Sequence, residues 1–258
     1  LSGGRTRCPG QIGVSMLPLL IALQFLTSLP IRLPAMPTPR QQGRSLLHYP
    51  AVGLFLGALL WLAALLLEGA SPLLQAALLL ALWVALTGAL HLDGLADSAD
   101  AWLGGFGDPA RTLEIMKDPR SGPVAVVVLV LLLLLKFSAL LVVLQAQQPG
   151  ALGLVPLLGR TALLALFLCT PYVRPNGLGQ ALAANLPRSG ALVVLALVVI
   201  GCLLLGAIGL LALTLAAVTF LLARRAMLRR LGGTTGDTAG ALLELVECTV
   251  LVGLALQL

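Results

Sequence analysis

The chain has 258 residues, of which 59% are hydrophobic and only 10% are charged, and its mean hydropathy is +1.04. Because soluble domains carry roughly 25% charged residues, these values exclude a soluble globular protein and predict a polytopic integral membrane protein surrounded by lipid. The formal net charge is +6, but basic loop residues of a membrane protein are primarily topology signals. We therefore predict no nucleic-acid partner.

Long apolar segments follow one another along the chain, and no long alternating strands of the outer-membrane type interrupt them, so the spans are predicted to be helical. The predicted spans are residues 50–67, 73–90, 123–145 and 151–170, two spans within 191–223 separated by a turn near 206–209, and 239–257. Residues 16–31 are apolar but short, and they add an eighth span if they cross the bilayer. The predicted fold is all-α, a polytopic membrane helix bundle of seven to eight spans in a single transmembrane domain, 1–258.

The polar connections differ in charge between the two sides of this bundle. With seven spans, the connections 32–49, 91–122, 171–190 and 224–238 share one side, and the opposite connections hold Glu68 as their only charged residue. The basic residues of the first side are Arg32, Arg40, Arg44, Arg111, Lys117, Arg120, Arg174, Arg188, Arg224, Arg225, Arg229 and Arg230. By the positive-inside rule that side is cytoplasmic. We predict an inner-membrane protein whose active site faces the cytoplasm, with catalytic loops at 91–122, 171–190 and 224–238.

The most informative stretch is HLDGLADSADAWLGGFG, residues 91–107, which interrupts the apolar background with three aspartates. If it is helical, Asp93, Asp97 and Asp100 are spaced i, i+4 and i+7 and share one narrow stripe. Like charges at these spacings repel one another, so a counter-ion is expected. Mg²⁺ prefers oxygen ligands, typically one or two carboxylates with phosphate oxygens and waters. The alternative is a solvated acidic loop between two spans.

A second polar stretch, LEIMKDPRSG at residues 113–122, interleaves acids and bases. Glu114 and Asp118 are spaced i, i+4, and Lys117 and Arg120 lie beside them. Such a mixture suits a site that holds both a metal ion and phosphate oxygens, because cations neutralise the phosphate while carboxylates bind the metal. An interfacial helix with i, i+4 salt bridges explains the same pattern equally well.

Two further stretches carry isolated polar residues. In GGTTGDTAGALLELVE (232–247), Asp237 precedes an apolar run and is either a catalytic group or a helix N-cap; Glu244 and Glu247 begin the last span, near the same face. In PYVRPNGLG (171–179), Arg174 stands between two prolines, a rigid display that favours a ligand contact over a topology signal alone.

Lys136 and Arg160 lie inside predicted spans. Basic residues within a membrane are costly, and they usually face a polar cavity or a carboxylate. Arg160 is close enough to a predicted interface for its side chain to snorkel, so Lys136 is the stronger candidate for a buried functional group.

These motifs, in order, resemble the cobalamin synthase (adenosylcobinamide-GDP ribazoletransferase) family. The resemblance is carried by TGALHLDGLADSADAWLGGFGDPARTLEIMKDPRSGP and by QFLTSLPI (24–31), YPAVGLFLG (49–57), PYVRPNGLG (171–179) and GGTTGDTAGA (232–241). It covers nearly the whole chain. The departures, one glycine fewer before His91 and a proline in SGP (121–123), touch no charged position.

The resemblance implies the reaction and the roles of the residues. A hydroxyl of α-ribazole, or of its 5′-phosphate, attacks the pyrophosphate of adenosylcobinamide-GDP, GMP leaves, and adenosylcobalamin or its phosphate forms with Mg²⁺ as cofactor. Asp93, Asp97 and Asp100 are then the expected metal ligands. Asp97, Asp118, Asp237 and His91 are the candidate catalytic residues, and Lys117, Arg120, Arg174, Glu114 and Lys136 the candidate substrate and phosphate contacts. A homo-oligomer is compatible with this assignment.

Two other classes remain open from the residues alone. A CDP-alcohol phosphotransferase also uses an aspartate-rich motif and Mg²⁺, but its Asp-x-x-Asp-Gly opening is not matched here, since Leu95 and Ala96 lead to Asp97. A transporter or Mg²⁺ permease would place several acids in mid-membrane. The acids of this chain are predicted to lie in loops or at the end of a span.

Overall fold

The helices follow the predicted apolar segments. The computed structural model describes residues 11–175 and 177–258. Its α-helices are α1 (Gln11–Leu26), α2 (Pro39–Ser45), α3 (Tyr49–Leu66), α4 (Pro72–Thr87), α5 (Leu90–Gly104), α6 (Pro109–Ile115), α7 (Pro123–Gln145), α8 (Leu154–Cys169), α9 (Leu178–Ala184), α10 (Arg188–Leu204), α11 (Ala207–Leu231) and α12 (Gly236–Ala255). Short 3₁₀ turns precede α3 and α8. Within the described residues the only β-type pairing is an isolated bridge between Tyr172 and Thr234, so the all-α prediction is confirmed.

Proline, serine and glycine set many of the helix boundaries. Ser71 caps α4 by accepting a hydrogen bond from the Leu74 backbone, and Pro72 occupies the first turn, where its missing N–H costs nothing. At the other end Gly88 adopts a left-handed conformation (φ 61°) that terminates α4. Gly206 (φ 67°) forms the tight turn between α10 and α11, where the sequence predicted one.

Five helical segments of the described chain are long and apolar enough to cross a membrane: Pro39–Leu66, Pro123–Gln145, Pro149–Cys169, Ala207–Leu231 and Gly236–Ala255. A sixth results if α4 and α5, which meet at an angle of 87°, count as one broken span. The prediction of seven to eight spans also counted α4 and α10 as separate crossings, and these helices have only 16 and 17 residues. The structure thus gives a membrane helix bundle of five to six such segments.

α12 is the central helix of the bundle, and it packs against α5, α7, α8 and α11. Of the 18 residues in the apolar stretch of α12, 72% are buried, whereas only 11% are buried in the corresponding stretch of α11. Many apolar side chains of α7, α10 and α11 are exposed, as expected for helices that contact lipid. Polar residues on α12 are consequently placed at the centre of the molecule.

Candidate active site

The acidic run folds as α5, so its first three aspartates lie on one helical face as the spacing predicted. Asp93 is exposed, and Asp97 and Asp100 are partly buried. The opposite face of α5 is apolar, with Leu92 and Leu95 buried against α7 and α12. The apolar face therefore fixes the direction in which the carboxylates point.

α5 crosses α12 at a contact between glycines. A Cβ atom built on Gly94 would lie 2.8 Å from the backbone oxygen of Asp237, and one on Gly240 would lie 3.3 Å from the Cα of His91. The two backbones thus pack directly against each other, which small residues allow. This contact brings Asp237, more than 130 residues away in sequence, within electrostatic range of Asp93 and Asp97.

Asp237 belongs to the first turn of α12 but does not cap it. Thr235 is the N-cap, and it forms a capping box with Thr238. The N-cap interpretation of Asp237 is therefore wrong, and its carboxylate is available for other contacts. It accepts a hydrogen bond from the Arg174 guanidinium at 2.7 Å, in an ion pair that remains partly exposed.

Arg174 is positioned by the segment that follows α8. The Val173 N–H donates to the Thr234 oxygen and the Thr234 N–H donates to the Pro171 oxygen, both at 2.9 Å. These bonds tie the proline-containing loop to the Gly-Thr-Thr segment before α12. The sequence predicted that a rigid loop holds Arg174 in place. The backbone pairing of this loop with Thr234 supplies the rigidity.

A cavity of about 360 Å³ opens beside this ion pair. Its polar lining includes His91, Asp93, Arg174 and Asp237, and its apolar lining comes from α1, α8 and α9. Tyr172 also lines the cavity and stacks on Phe167. Burial raises the pKa of its hydroxyl, so this phenol stays neutral. The polar residues of three predicted catalytic loops thus share one cavity with an apolar surface.

Asp100 is engaged elsewhere on the same helical face. Its two carboxylate oxygens accept hydrogen bonds from the backbone N–H groups of Gly122 and Ala125, at the start of α7. Carboxylates are favourable at helix N-termini, so Asp100 connects α5 to α7. It does not line the cavity.

The second acidic and basic stretch comprises the end of α6, which holds Glu114, and the connection from α6 to α7. Glu114, Lys117 and Arg120 are exposed, and none of them lines the cavity. Asp118 accepts two side-chain hydrogen bonds from Arg120, at 2.8 and 2.9 Å, and these lower the pKa of Asp118 to about 2. Asp118 is therefore ionised at neutral pH and paired with its neighbour.

Lys136 lies in the interior of the bundle, away from the cavity walls. Its ammonium group donates to Glu244 at 2.6 Å and to Glu247 at 2.8 Å, and it lies 4.6 Å from the centre of the Trp83 ring. Arg160 donates to the other oxygen of Glu247. Arg160 is fully buried, so the snorkelling interpretation is wrong. The prediction that Glu244 and Glu247 lie at the beginning of the last span is wrong too. They are the ninth and twelfth of the 20 residues of α12.

His91 is buried between the cavity and this charged network. Both of its ring nitrogens lack a hydrogen-bond partner, as do Nε and Nη2 of Arg160. Lys136 and Arg160 are near enough to His91 to interact with it electrostatically. Buried polar groups of this kind are commonly satisfied by internal water, so this region is suited to hold ordered water molecules.

The acids at and beside the cavity fit Mg²⁺ by their chemistry. Asp93 and Asp237 line the cavity, whereas Asp97 does not line it and lies one turn from Asp93 on α5. The three carboxylates are within electrostatic range of one another, and Arg174 interacts with both Asp97 and Asp237. Among residues 11–175 and 177–258, no three His, Cys, Asp or Glu side chains come close enough to enclose an ion. Mg²⁺ does not require such a cage, because it usually keeps waters and binds substrate phosphate oxygens.

Comparison with known proteins gives the family. The family model described as cobalamin-5-phosphate synthase matches residues 18–255. The chain belongs to the cobalamin-5-phosphate synthase family. The resemblance that the motifs indicated is thereby confirmed over nearly the whole chain.

Members of this family include close relatives of the chain. A protein named adenosylcobinamide-GDP ribazoletransferase from Stutzerimonas stutzeri (strain A1501) is 95% identical over 242 residues, which cover 94% of this chain and 99% of the relative. Proteins of the same name from Pseudomonas fluorescens (strain Pf0-1) and Pseudomonas entomophila (strain L48) are 67% and 66% identical, over 93% and 94% of this chain and the full length of each relative. No solved structure matches the chain significantly.

Sequence reasoning did not single out the apolar lining of the cavity. Phe25, Leu163 and Phe167 lie in mostly apolar segments, and Leu182 lies in a connection that was selected for its polar residues. Nothing in their local pattern distinguishes a cavity wall from a core position. Tyr172 lies in the motif PYVRPNGLG (171–179). Its aromatic ring beside a proline-containing loop is the local signal by which the sequence could have indicated a cavity wall.

Proposed function

We propose that this member of the cobalamin-5-phosphate synthase family is an adenosylcobinamide-GDP ribazoletransferase. It joins α-ribazole, or its 5′-phosphate, to adenosylcobinamide-GDP in the assembly of the cobalamin nucleotide loop. The names of relatives up to 95% identical support this reaction. The structural observation that carries the proposal is the convergence of Asp93, Arg174 and Asp237 from three separate segments on one cavity.

The chemistry is a displacement at phosphorus. A ribose hydroxyl oxygen of the acceptor forms a new bond to the phosphorus attached to the cobinamide, and the anhydride bond to the second phosphorus breaks. GMP leaves with the electron pair of that bond, and the hydroxyl proton passes to a base. Such reactions depend mainly on positioning and on charge stabilisation.

Asp93 and Asp97 would hold Mg²⁺, with Asp100 fixing the same face of α5 to the start of α7. When bound, the ion neutralises charge on the pyrophosphate oxygens and assists the departure of GMP. Asp237 is the base that we propose for the acceptor hydroxyl, because its carboxylate lines the cavity and is oriented by the hydrogen bond that it accepts from Arg174. Arg174 also offers its remaining N–H groups to phosphate oxygens.

The remaining residues that the sequence predicted as substrate contacts or catalytic groups have other roles in this proposal. Lys117 and Arg120 are exposed on the α6–α7 connection, and we assign them to the part of the donor that remains outside the cavity. Asp118 lies on the same connection, and Glu114 lies at the end of α6. Lys136 is paired within the bundle, so we assign it a structural role. His91 shapes the inner wall of the cavity.

The experiment that tests the function is GMP release by the purified protein in lipid vesicles. We expect release only when adenosylcobinamide-GDP, α-ribazole (or its phosphate) and Mg²⁺ are all present, and loss of release when a chelator removes the ion. Release of GMP without the acceptor would indicate a hydrolase. No release from a folded protein would contradict the assignment, and CMP release from CDP-linked substrates would then support the phosphotransferase alternative.

We further propose that α3, α4, α7, α8, α10, α11 and α12 each cross the inner membrane, with α5, α6 and α9 on the cytoplasmic side. This arrangement is supported by the basic residues of the connections on that side. Alkaline phosphatase fused after Gln148 should be active and the same enzyme fused after Arg120 inactive, since it folds only outside the cytoplasm. The reverse pattern would invert the topology.

The α5–α12 contact provides a prediction about positioning. In Gly94→Ala the added methyl group would lie 2.8 Å from backbone of α12, so the helices must separate and displace Asp237 from Asp93. We expect turnover to fall on the order of 100-fold, because displacements near 1 Å have effects of that size. Gly201→Ala in α10 is the matched control, since its methyl group would meet nothing within 4 Å. Equal rates of GMP release from the two variants would contradict the role of the contact.

A further inference from the structure

The lining of the cavity has two chemically different parts. The charged part consists of Asp93, Arg174 and Asp237, and the apolar part includes Phe25, Leu163, Phe167 and Leu182 from helices α1, α8 and α9. We call the region lined by these four apolar residues the apolar end. A ligand that fills the cavity must therefore combine a polar part with a compact apolar part.

An aromatic surface joins the apolar lining to the charged lining, because Tyr172 stacks on Phe167 and is within electrostatic range of Arg174 and Asp237. The rings of Phe167 and Tyr172 stack with their centres 6.3 Å apart and their planes inclined by 26°. Gly177 and Gly179 pack against the hydroxyl end of Tyr172, because a Cβ atom on either glycine would come within 3.0 Å of a ring atom. The surface is thus formed before any ligand binds, and a flat ligand ring can stack on it with little loss of conformational freedom.

Size and polarity limit which group of the substrates can enter. At about 360 Å³, the cavity lies near the lower bound of roughly 300–1,000 Å³ for small-molecule sites, which suits one nucleoside and is too small for a corrinoid ring with its side chains. Guanine presents several hydrogen-bond donors and acceptors along its edge, and burying them against phenylalanine and leucine would leave them unpaired at a cost. The dimethylbenzimidazole base of α-ribazole is flat, bicyclic and almost entirely apolar.

We propose that the apolar end of the cavity binds the benzimidazole base of the acceptor and so determines the acceptor specificity of the enzyme. This inference rests on the proposed transferase function. With the base stacked near Phe167 and Tyr172, the ribose lies toward Asp237 and Asp93, where its hydroxyl is deprotonated. The corrinoid of the donor stays outside, and its pyrophosphate meets the acceptor at the charged end.

Phe167→Leu tests the proposal, because it keeps apolar volume and removes the ring. Loss of one base-stacking contact should raise KM for α-ribazole about tenfold, with KM for adenosylcobinamide-GDP and kcat nearly unchanged. Phe137→Leu is the matched control, since Phe137 is a partly buried phenylalanine that packs against the same core but does not line the cavity. A rise in the donor KM, an equal rise in both, or no change in a folded Phe167→Leu protein would overturn the proposal.

A second measurement needs no variant and applies even if Phe167→Leu fails to fold. Free dimethylbenzimidazole should inhibit the unmodified enzyme competitively with α-ribazole and not with adenosylcobinamide-GDP. Competition with the donor, or no inhibition up to the solubility limit, would contradict the assignment of the apolar end. Failure of the transferase function itself is distinguishable, because the unmodified protein would then release no GMP with both substrates and Mg²⁺ present.

Discussion

The Asp97→Asn variant is expected to lose turnover while still inserting and folding. Asp97 is partly buried on the acidic face of α5, within electrostatic range of Asp93, Asp237 and Arg174. The substitution keeps the shape of the side chain and removes the charge that would hold Mg²⁺ at the pyrophosphate. Because a bound metal supplies several kcal/mol of charge stabilisation and each 1.4 kcal/mol is a factor of ten, we expect a loss of roughly a thousandfold.

Asp108→Asn is the control for this experiment. Asp108 follows the acidic run directly, but it caps α6, with one carboxylate oxygen accepting from the backbone N–H groups of Ala110 and Arg111. Asparagine is equally effective as an N-cap, so this variant should retain normal turnover. GMP release is measured for both variants over a range of Mg²⁺ concentrations. Near-normal turnover of Asp97→Asn at every concentration would remove Asp97 from the metal site.

Local pattern was sufficient to predict most helices and the aspartate face of α5. Residues 123–145 were predicted as a span, and α7 has those bounds, because a run of Val and Leu bounded by Pro123 has only one favourable structure in lipid. The turn near 206–209 was likewise predictable from glycine. The bend of 87° between α4 and α5 was not predicted, since it depends on Gly88 and on Ala89, a non-glycine residue with positive φ.

Tertiary neighbours were beyond what the sequence could give. Arg174 and Asp237 were each selected for local reasons, but their ion pair joins positions 63 residues apart. Asp118 and Arg120 were selected in the same way, and they pair with each other on an exposed connection. The packing of α5 on α12 brings Asp93 and Asp237 to the cavity, and the backbone pairing of the loop after α8 with Thr234 brings Arg174 there.

The second large effect is expected from the buried charges of α12. Glu247→Gln should lower the free energy of unfolding by about 3–5 kcal/mol, the usual cost of leaving a buried charge without its partner. Glu247 accepts from both Lys136 and Arg160, and all three side chains are almost completely buried. Glutamine cannot neutralise Arg160, and the Nε and Nη2 atoms of that guanidinium already lack partners. Unfolding by SDS of the protein in mixed micelles measures the change.

Glu68→Gln is the matched control, because it makes the same chemical change at an exposed position between α3 and α4, and it should leave stability nearly unchanged. The double variant Lys136→Gln with Glu247→Gln provides the sharper test. It leaves Arg160 and Glu244 as one positive and one negative charge, so the net charge of the bundle interior returns to zero. We expect the double variant to be more stable than Glu247→Gln alone. If the double variant instead loses as much stability as the two single variants together, Lys136 and Glu247 contribute independently. The net charge of the bundle interior would then not determine the stability of the protein.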